Sequence, residues 1–215
     1  MGKCEVHTEV LGMVGTNVYL LTNKETSEAL IVDPADEADT IIKLCDRTGS
    51  VPVAILLTHG HFDHMAAADE LARDLDLPIY AYSGENALMR DVRANGSASL
   101  AGLRVTCTAS REVTEGQMLR LAGFKIKVLH TPGHTAGSCC YYLPEEGLLV
   151  SGDTLFRGSY GRTDLATGSE AAIIRSVRRL LKEIPDDTVV LPGHMGYTTI
   201  SFEKKYNPLS ETAAW

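Results

Sequence analysis

Residues 58–64 read THGHFDH and follow the apolar run VPVAILL. A neutral imidazole is a metal ligand or a base, and a carboxylate is a hard anionic ligand. Three of the first and one of the second, placed where a buried strand would run out, point to a cation. The same setting recurs three times downstream, with His134 after IKVLHTPG, Asp153 after GLLVSG and His194 after TVVLPG. Loops that leave the ends of buried strands are where a rigid scaffold places reactive groups. Four strand ends therefore deliver His59, His61, Asp63, His64, His134, Asp153 and His194.

Spacing divides the first cluster. His59 and His61 are two residues apart in an extended segment and can face one ion together, whereas Asp63 and His64 follow as the chain turns into a helix expected near Met65. A tetrahedral ion takes about four ligands, so seven protein ligands plus water are too many for one ion and suit two. Asp153 is the natural bridge, because one carboxylate can give an oxygen to each ion. Nitrogen and oxygen donors suit zinc, iron and manganese alike, with zinc the default. Two divalent cations partly neutralised by Asp63, Asp153 and hydroxide would stay net positive and attract an anionic or carbonyl-bearing substrate. Such cations lower the pKa of their water from about 15.7 towards roughly 7, which gives a nucleophile without a side-chain base. Gly133 and Gly193 would let the chain turn beside the ligands without a Cβ, and Pro132 and Pro192 would stiffen the approach. Thr135 and Ser138 would either orient the ligands or only close turns.

Short strands are expected over Cys4–Val10, Thr16–Thr22 and Glu28–Val32, the last stopped by Pro34. Ile41, Ile42, Leu44 and Cys45 mark a helix within 36–48. The run VPVAILLT is too apolar for a one-faced edge strand and implies burial on both sides. A helix over Ala66–Leu75, a strand over Leu77–Ala81 and a helix in YSGENALMRD, with Ser83 as a possible cap, come next. Residues 94–111 form an excursion, polar and Gly/Ser-dotted at first and then briefly strand-like. Strands in MLRLAG, FKIKVLHTPGH, SCCYYLP and GLLVSGD lead to a helix with Ile173, Ile174, Val177, Leu180 and Leu181 on one face and Ser169 as its cap. TVVLPGH is a last short strand. Two strand-rich halves interleaved with helices predict two packed sheets covered by helices outside.

Composition narrows the partners. In 215 residues, 28 acidic side chains outnumber 20 basic ones, for a formal charge of -8. That balance and the lack of a Lys/Arg cluster argue against a nucleic-acid partner. Five cysteines without C-x2-C spacing read as reduced, mostly buried thiols. Glu5, His7 and Glu9 break any early apolar stretch and no run reaches 18 apolar residues, so no signal peptide, anchor or membrane contact is expected and the location is expected to be cytoplasmic.

Through THGHFDH, HTPGHTAGS, SGDTLFRGSYGRTDL and LPGHMGYTTISFEKKYNP, in this order, the chain resembles the metallo-beta-lactamase-fold hydrolases, specifically the glyoxalase II (hydroxyacylglutathione hydrolase) branch, over nearly all of residues 7–208. The resemblance implies an α+β fold, a four-layer αβ/βα sandwich forming one domain over 1–215, with a dinuclear metal site at one edge between the sheets. It assigns His59, His61 and His134 to the first metal, Asp63, His64 and His194 to the second, and Asp153 to both. It also implies hydrolysis of a small-molecule thioester, with S-lactoylglutathione as the reference substrate. A bridging hydroxide would attack the carbonyl, Asp63 and Asp153 being the catalytic carboxylates, and a thiolate would leave. Only 21 residues follow His194, so the chain looks like the short, single-domain type, without the helical region with which longer enzymes grip glutathione. Arg162 falls where those enzymes place a basic residue against the glycine carboxylate of glutathione, although pairing with Asp164 would make it a brace. Tyr160 and Tyr197 are candidates for the pocket mouth.

Three rivals remain from the letters. A persulfide dioxygenase of the same superfamily would hold one iron on His61, His134 and Asp153. A ribonuclease is disfavoured by charge. A non-catalytic binding protein would use the metal only to close its loops, although structural zinc sites are usually saturated and often thiolate-rich.

Overall fold

In a computed structural model, which describes residues 2–211, the chain opens with three antiparallel strands: β1 (Cys4–Leu11), β2 (Thr16–Asn23) and β3 (Glu28–Val32). Helix α1 (Ala38–Thr48) leads to β4 (Val51–Leu56), α2 (Phe62–Met65) and α3 (Ala68–Asp74) to β5 (Ile79–Tyr82), and α4 (Asn86–Arg90) and α5 (Ser97–Leu100) to β6 (Arg111–Val113). These strands form one sheet in the order β1-β2-β3-β4-β5-β6, parallel from β3 onward. Parallel neighbours need crossovers, and the helices supply them.

The second half runs through β7 (Met118–Leu121), β8 (Phe124–His130), β9 (Cys139–Leu143) and β10 (Leu148–Gly152), then a hairpin of β11 (Leu155–Phe156) and β12 (Ser159–Tyr160). Helix α6 (Glu170–Glu183), β13 (Val189–Pro192), β14 (Thr198–Thr199) and α7 (Ile200–Tyr206) complete it. The second sheet has the order β14-β13-β10-β9-β8-β7.

Side-chain alternation explains the layers. Tyr19, Leu21, Leu30, Val32, Ala54 and Leu56 of the first sheet meet Phe124, Ile126, Val128, Tyr141 and Val150 of the second in one buried core. The alternate residues Leu20, Ile31 and Ile55 pack instead on Ile41, Leu44 and Leu71 of the helices outside. On the far side Cys140, Leu149 and Val190 pack on Ile173, Val177 and Leu180 of α6 and Ile200 of α7. The result is the expected αβ/βα sandwich. β4 has no alternating polar face because both of its faces are covered, as its apolar run predicts. Ser169, in extended backbone, accepts from Ala172 N–H and caps α6 as expected.

Four local expectations are corrected. The helix after the histidine cluster starts at Phe62, so Asp63 and His64 already lie on it. Glu85, not Ser83, occupies the N-cap position of α4. Residues 94–111 form a short helix and then coil without a ladder up to β6; the buried Asn95 amide staples the excursion by donating to the carbonyls of Met89 and Val105 at 3.2 and 2.8 Å. TVVLPGH is not the last strand, because β14 and α7 follow it.

Candidate metal centre

Both sheets bring their ligand-bearing strand ends to one rim, and cross-sheet bonds hold them there. Cys139 N–H donates to the Thr58 carbonyl at 2.9 Å and the Tyr141 hydroxyl to the Leu57 carbonyl at 3.0 Å, tying β9 to the residues just before His59. Asn17 donates from its backbone to Gly193 and from its amide to Pro192 and Met195, while the Tyr19 hydroxyl donates to Pro192 at 2.6 Å. The loop carrying His194 is therefore clamped by β2. A Cβ on Gly193 would lie 2.2 Å from Asp153 Oδ1 and 2.6 Å from His64 Cε1, so glycine is needed there for space beside the ligands. The expectation for Gly133 is corrected. Its Cβ would meet the backbone of Ile173 at 2.3 Å, so that glycine admits α6 rather than the ligand cluster.

All seven ligand-type residues converge. One ligand atom each from His59, His61 and His134 lie within 4.8 Å of one another, as do those of Asp63, His64 and His194, and those of His59, His64 and Asp153. Asp153 spans the groups: Oδ1 is 3.4 Å from His64 Nε2, and Oδ2 is 3.5 Å from both His134 Nε2 and His194 Nε2. Asp63 Oδ2 lies 3.4 Å from His194 Nε2 and 3.6 Å from His64 Nε2, and accepts from Thr16 Oγ1 at 3.1 Å.

The imidazoles are aimed from behind. His64 Nδ1 donates to Asp33 Oδ2 at 3.0 Å, His134 Nδ1 to the Arg162 carbonyl at 2.8 Å and His194 Nδ1 to the Gly15 carbonyl at 3.4 Å. Thr58 Oγ1 gives its own proton to Asp33 and so accepts from His59 Nδ1 at 3.1 Å. Each of these bonds leaves Nε2 turned inward, which is how proteins present histidine to a metal. His61 Nδ1 lies 2.8 Å from His134 Nε2, a separation that needs a proton or a cation to bind the two nitrogens together.

Electrostatics agree with a cation site. Burial and the neighbouring imidazoles hold His59 well below its ordinary pKa and take His61 down to about 3, so both are neutral donors. Burial alone would raise Asp63 and Asp153, but His64 and the other histidines override it and keep both ionised. Burial also opposes charge on His64, yet Asp153, Asp63 and Asp33 drive it well above its usual value. Three carboxylates thus demand positive charge at this place, which a proton or a metal can supply. The Nε2 atoms of His59, His61 and His64 and Oδ1 of Asp153 are buried without hydrogen-bond partners. Orphaned buried donors and acceptors of this kind are costly, and divalent cations fit them.

Beyond the ligands the cavity, about 410 Å³, is lined by Met13, Val14, Phe62, Asn95, Leu100, Phe156, Arg162 and Leu165. Met13, Val14 and Leu100 are 70%, 51% and 59% exposed, an apolar rim with few polar groups. Arg162 lies in this wall, with its guanidinium engaged as Nε and Nη2 donate to Asp164 Oδ1 and Oδ2 at 2.7 Å each. Tyr160 and Tyr197 do not line the cavity. Tyr160 packs by the α6 core, and the Tyr197 hydroxyl bonds Thr8 beside a separate groove.

Asp33 and Thr58 escaped sequence reading. Their signal was a carboxylate immediately after a buried strand, in DPAD. Asp33 sits at φ 48°, a left-handed conformation that holds its side chain towards Thr58 and His64.

The profile of the metallo-beta-lactamase superfamily matches residues 11–194. A probable metallo-hydrolase YqgX of Bacillus subtilis is 38% identical over 199 residues, 92% of this chain and 93% of its own. A hydroxyacylglutathione hydrolase GloC of Haemophilus influenzae is 32% identical, covering 89% of this chain and 91% of its own. Among solved structures, the BLEG-1 B3 metallo-beta-lactamase superposes with a TM-score of 0.91 at 38% identity, over 96% of this chain and 100% of that one. TTHA1623 in a di-iron-bound form gives 0.82 at 39%, over 94% and 98%. No helix among the described residues is long and apolar enough to cross a membrane. Fold, ligand geometry and matched span together place this chain in the metallo-beta-lactamase superfamily, whose fold is that of metallo-hydrolases.

Proposed function

We propose that this metallo-hydrolase cleaves thioesters, with His59, His61 and His134 holding one divalent cation, Asp63, His64 and His194 a second, and Asp153 both. Zinc is the default ion, and iron is supported by the di-iron form of TTHA1623. Bound there, the cations supply Lewis acidity and a water-derived nucleophile near neutral pH. Asp63, ionised and braced by Thr16, would orient that nucleophile by hydrogen bonding. The two-ion assignment is favoured over one iron on His61, His134 and Asp153 because it also employs the buried, partnerless Nε2 of His59 and His64.

The observation that carries the thioester reading is the cavity wall. Among the described residues, the wall outside the ligand set offers a leaving group no acid: Asn95 does not titrate, and Arg162 keeps its proton and is tied to Asp164. A thiolate departs without protonation, because its conjugate acid has a pKa near about 8.5. The name of GloC supports the same reading. The apolar rim favours substrates neutral or apolar beside the scissile carbonyl, and glutathione's carboxylates would find no free cation in the lining.

The similarity to BLEG-1 supports a second substrate, a strained β-lactam amide, in the same cavity. The test is a parallel assay of the zinc- and iron-loaded protein on S-lactoylglutathione, on neutral N-acetylcysteamine thioesters of growing acyl length and on a chromogenic β-lactam, with oxygen uptake followed on a persulfide. Hydrolysis of thioesters without oxygen uptake is expected. Lactam turnover alone, or oxygen consumption, would replace the reading.

Arg162→Ala should lower kcat/KM by less than about fivefold, equally for the glutathione and the neutral thioester, because an exposed ion pair is worth at most about 1 kcal/mol and the His134 bond uses only the backbone carbonyl. A selective loss on the glutathione substrate would restore the anion contact.

A further inference from the structure

Glu85 is a buried carboxylate, 2% exposed, with no ion pair among the described residues. Such burial is unfavourable unless donors surround the group, and here they come from two loops. Oε1 accepts from Gly60 N–H at 2.9 Å and from Thr135 Oγ1 at 2.6 Å, and the nearby Gly137 backbone N–H also favours the charged form. Gly60 lies between His59 and His61 on the loop leaving β4, while Thr135 and Gly137 follow His134 on the loop leaving β8. The first loop belongs to one sheet and the second to the other, so Glu85 bridges the sandwich just behind three ligands.

The loops are shaped around that carboxylate. A Cβ on Gly137 would lie 2.2 Å from Glu85 Oε2, and one on Gly60 would lie 3.3 Å from Glu85 Cγ and 2.7 Å from Met89 Cγ. Ser138 completes the second anchor, since its Oγ lies 2.8 Å from Thr135 Oγ1 and accepts from Thr135 N–H at 3.0 Å. Thr135 and Ser138 thus close their turn and also pass its position to Glu85. Asp33 stands behind the other side of the centre, touching His64 and Thr58 and neither of the glycines.

We propose that Glu85 is a positioning residue for the His59–His61–His134 trio: by bonding both loops it sets their separation, and with it the affinity for one of two ions, without touching ion or substrate. This inference rests on the two-ion reading above. Glu85 would then act on this site alone, whereas Asp33 bears on the other directly through His64 and on His59 only through Thr58.

Chelator-competition titration of the full chain with zinc, repeated with cobalt to follow its absorption bands, tests this. Glu85→Gln keeps the shape but replaces the carboxylate by a neutral amide, whose oxygen is a weaker acceptor for Gly60 and Thr135 and whose NH2 replaces the Oε2 that lies against Gly137. It should weaken one binding step by roughly 10- to 100-fold, the range for residues that orient metal ligands, and leave the other within about threefold. Asp33→Asn should weaken the opposite step more than this one, because Asp33 holds His64 directly and His59 only through Thr58. Glu85→Ala should repeat the Glu85→Gln pattern more strongly, and Glu85→Gln carries the test if the alanine variant misfolds. Equal weakening of both steps, as a merely structural brace would give, overturns the proposal, and so does no change in either. A wild-type stoichiometry of one ion would fail the two-ion reading, and the inference would then be judged by whether Glu85→Gln weakens that ion.

Discussion

Asp153→Ala is expected to bind fewer ions per chain than the wild type and to lose at least about 100-fold in kcat/KM, a loss at or beyond the upper end of the range for residues that only orient ligands. Among the described residues this carboxylate lies 3.4–3.5 Å from histidines of both trios, through Oδ1 to His64 and through Oδ2 to His134 and His194. Without it, two cations would face each other across five imidazoles and Asp63 with a single anion between them, and Coulomb repulsion in a water-poor site is far stronger than in bulk. Asp153→Asn separates charge from shape: it keeps one acceptor oxygen near the same place and should still lose ions. Elemental analysis and steady-state kinetics on the same preparations check both variants. Reduced turnover with both ions fully bound would reject the bridging role.

The ligands were legible because histidine and aspartate are easily counted and because strand ends are visible in apolar runs. Their convergence follows from the sandwich, since β8, β10 and β13 of the second sheet end at one rim and β4 of the first meets them there from across the core. The groups that aim them were not legible, because each acts over a distance in sequence that no local pattern records. Asp33 reaches Thr58 and His64 from 25 and 31 residues away, and Glu85 reaches Thr135 across 50. Arg162 shows the opposite failure. Its partner is two residues away, and only geometry decides whether that side chain turns to Asp164 or to a ligand. Ser83 failed as a cap for a related reason: the turn before α4 delivers Glu85 to the cap position and then commits its carboxylate to the ligand loops. Helix and strand types were predictable from period and composition. Residues 94–111 were not, because the buried Asn95 and Ser97 side chains, rather than a repeat, hold them.

Replacing Asp33 should have the largest effect on stability. Its Oδ1 accepts from Thr58 N–H at 2.7 Å, and its Oδ2 accepts from Thr58 Oγ1 at 2.7 Å and His64 Nδ1 at 3.0 Å, with both ionisable side chains almost wholly buried. Asp33→Ala strands all three donors, and breaking one partner of a buried charged pair costs about 3–5 kcal/mol. In a chain of 215 residues that corresponds to a fall in Tm of about 10 °C. Asp33→Asn is subtler. If its amide nitrogen faces His64, the ring must accept at Nδ1 and carry its proton on Nε2, the atom that lies 3.4 Å from Asp153 Oδ1. The lone pair needed for a cation is then lost even though every heavy atom stays in place. Asp33→Asn should therefore unfold at a temperature between those of the wild type and Asp33→Ala, yet lose affinity for the ion on Asp63, His64 and His194 by roughly 10- to 100-fold. Thermal melts with and without zinc, together with nitrogen-15 shifts of the His64 ring, separate the two effects. An unchanged His64 tautomer with unchanged zinc affinity would leave Asp33 as a packing residue alone, and the aim of the second trio would then come from Asp63 and the His194 loop.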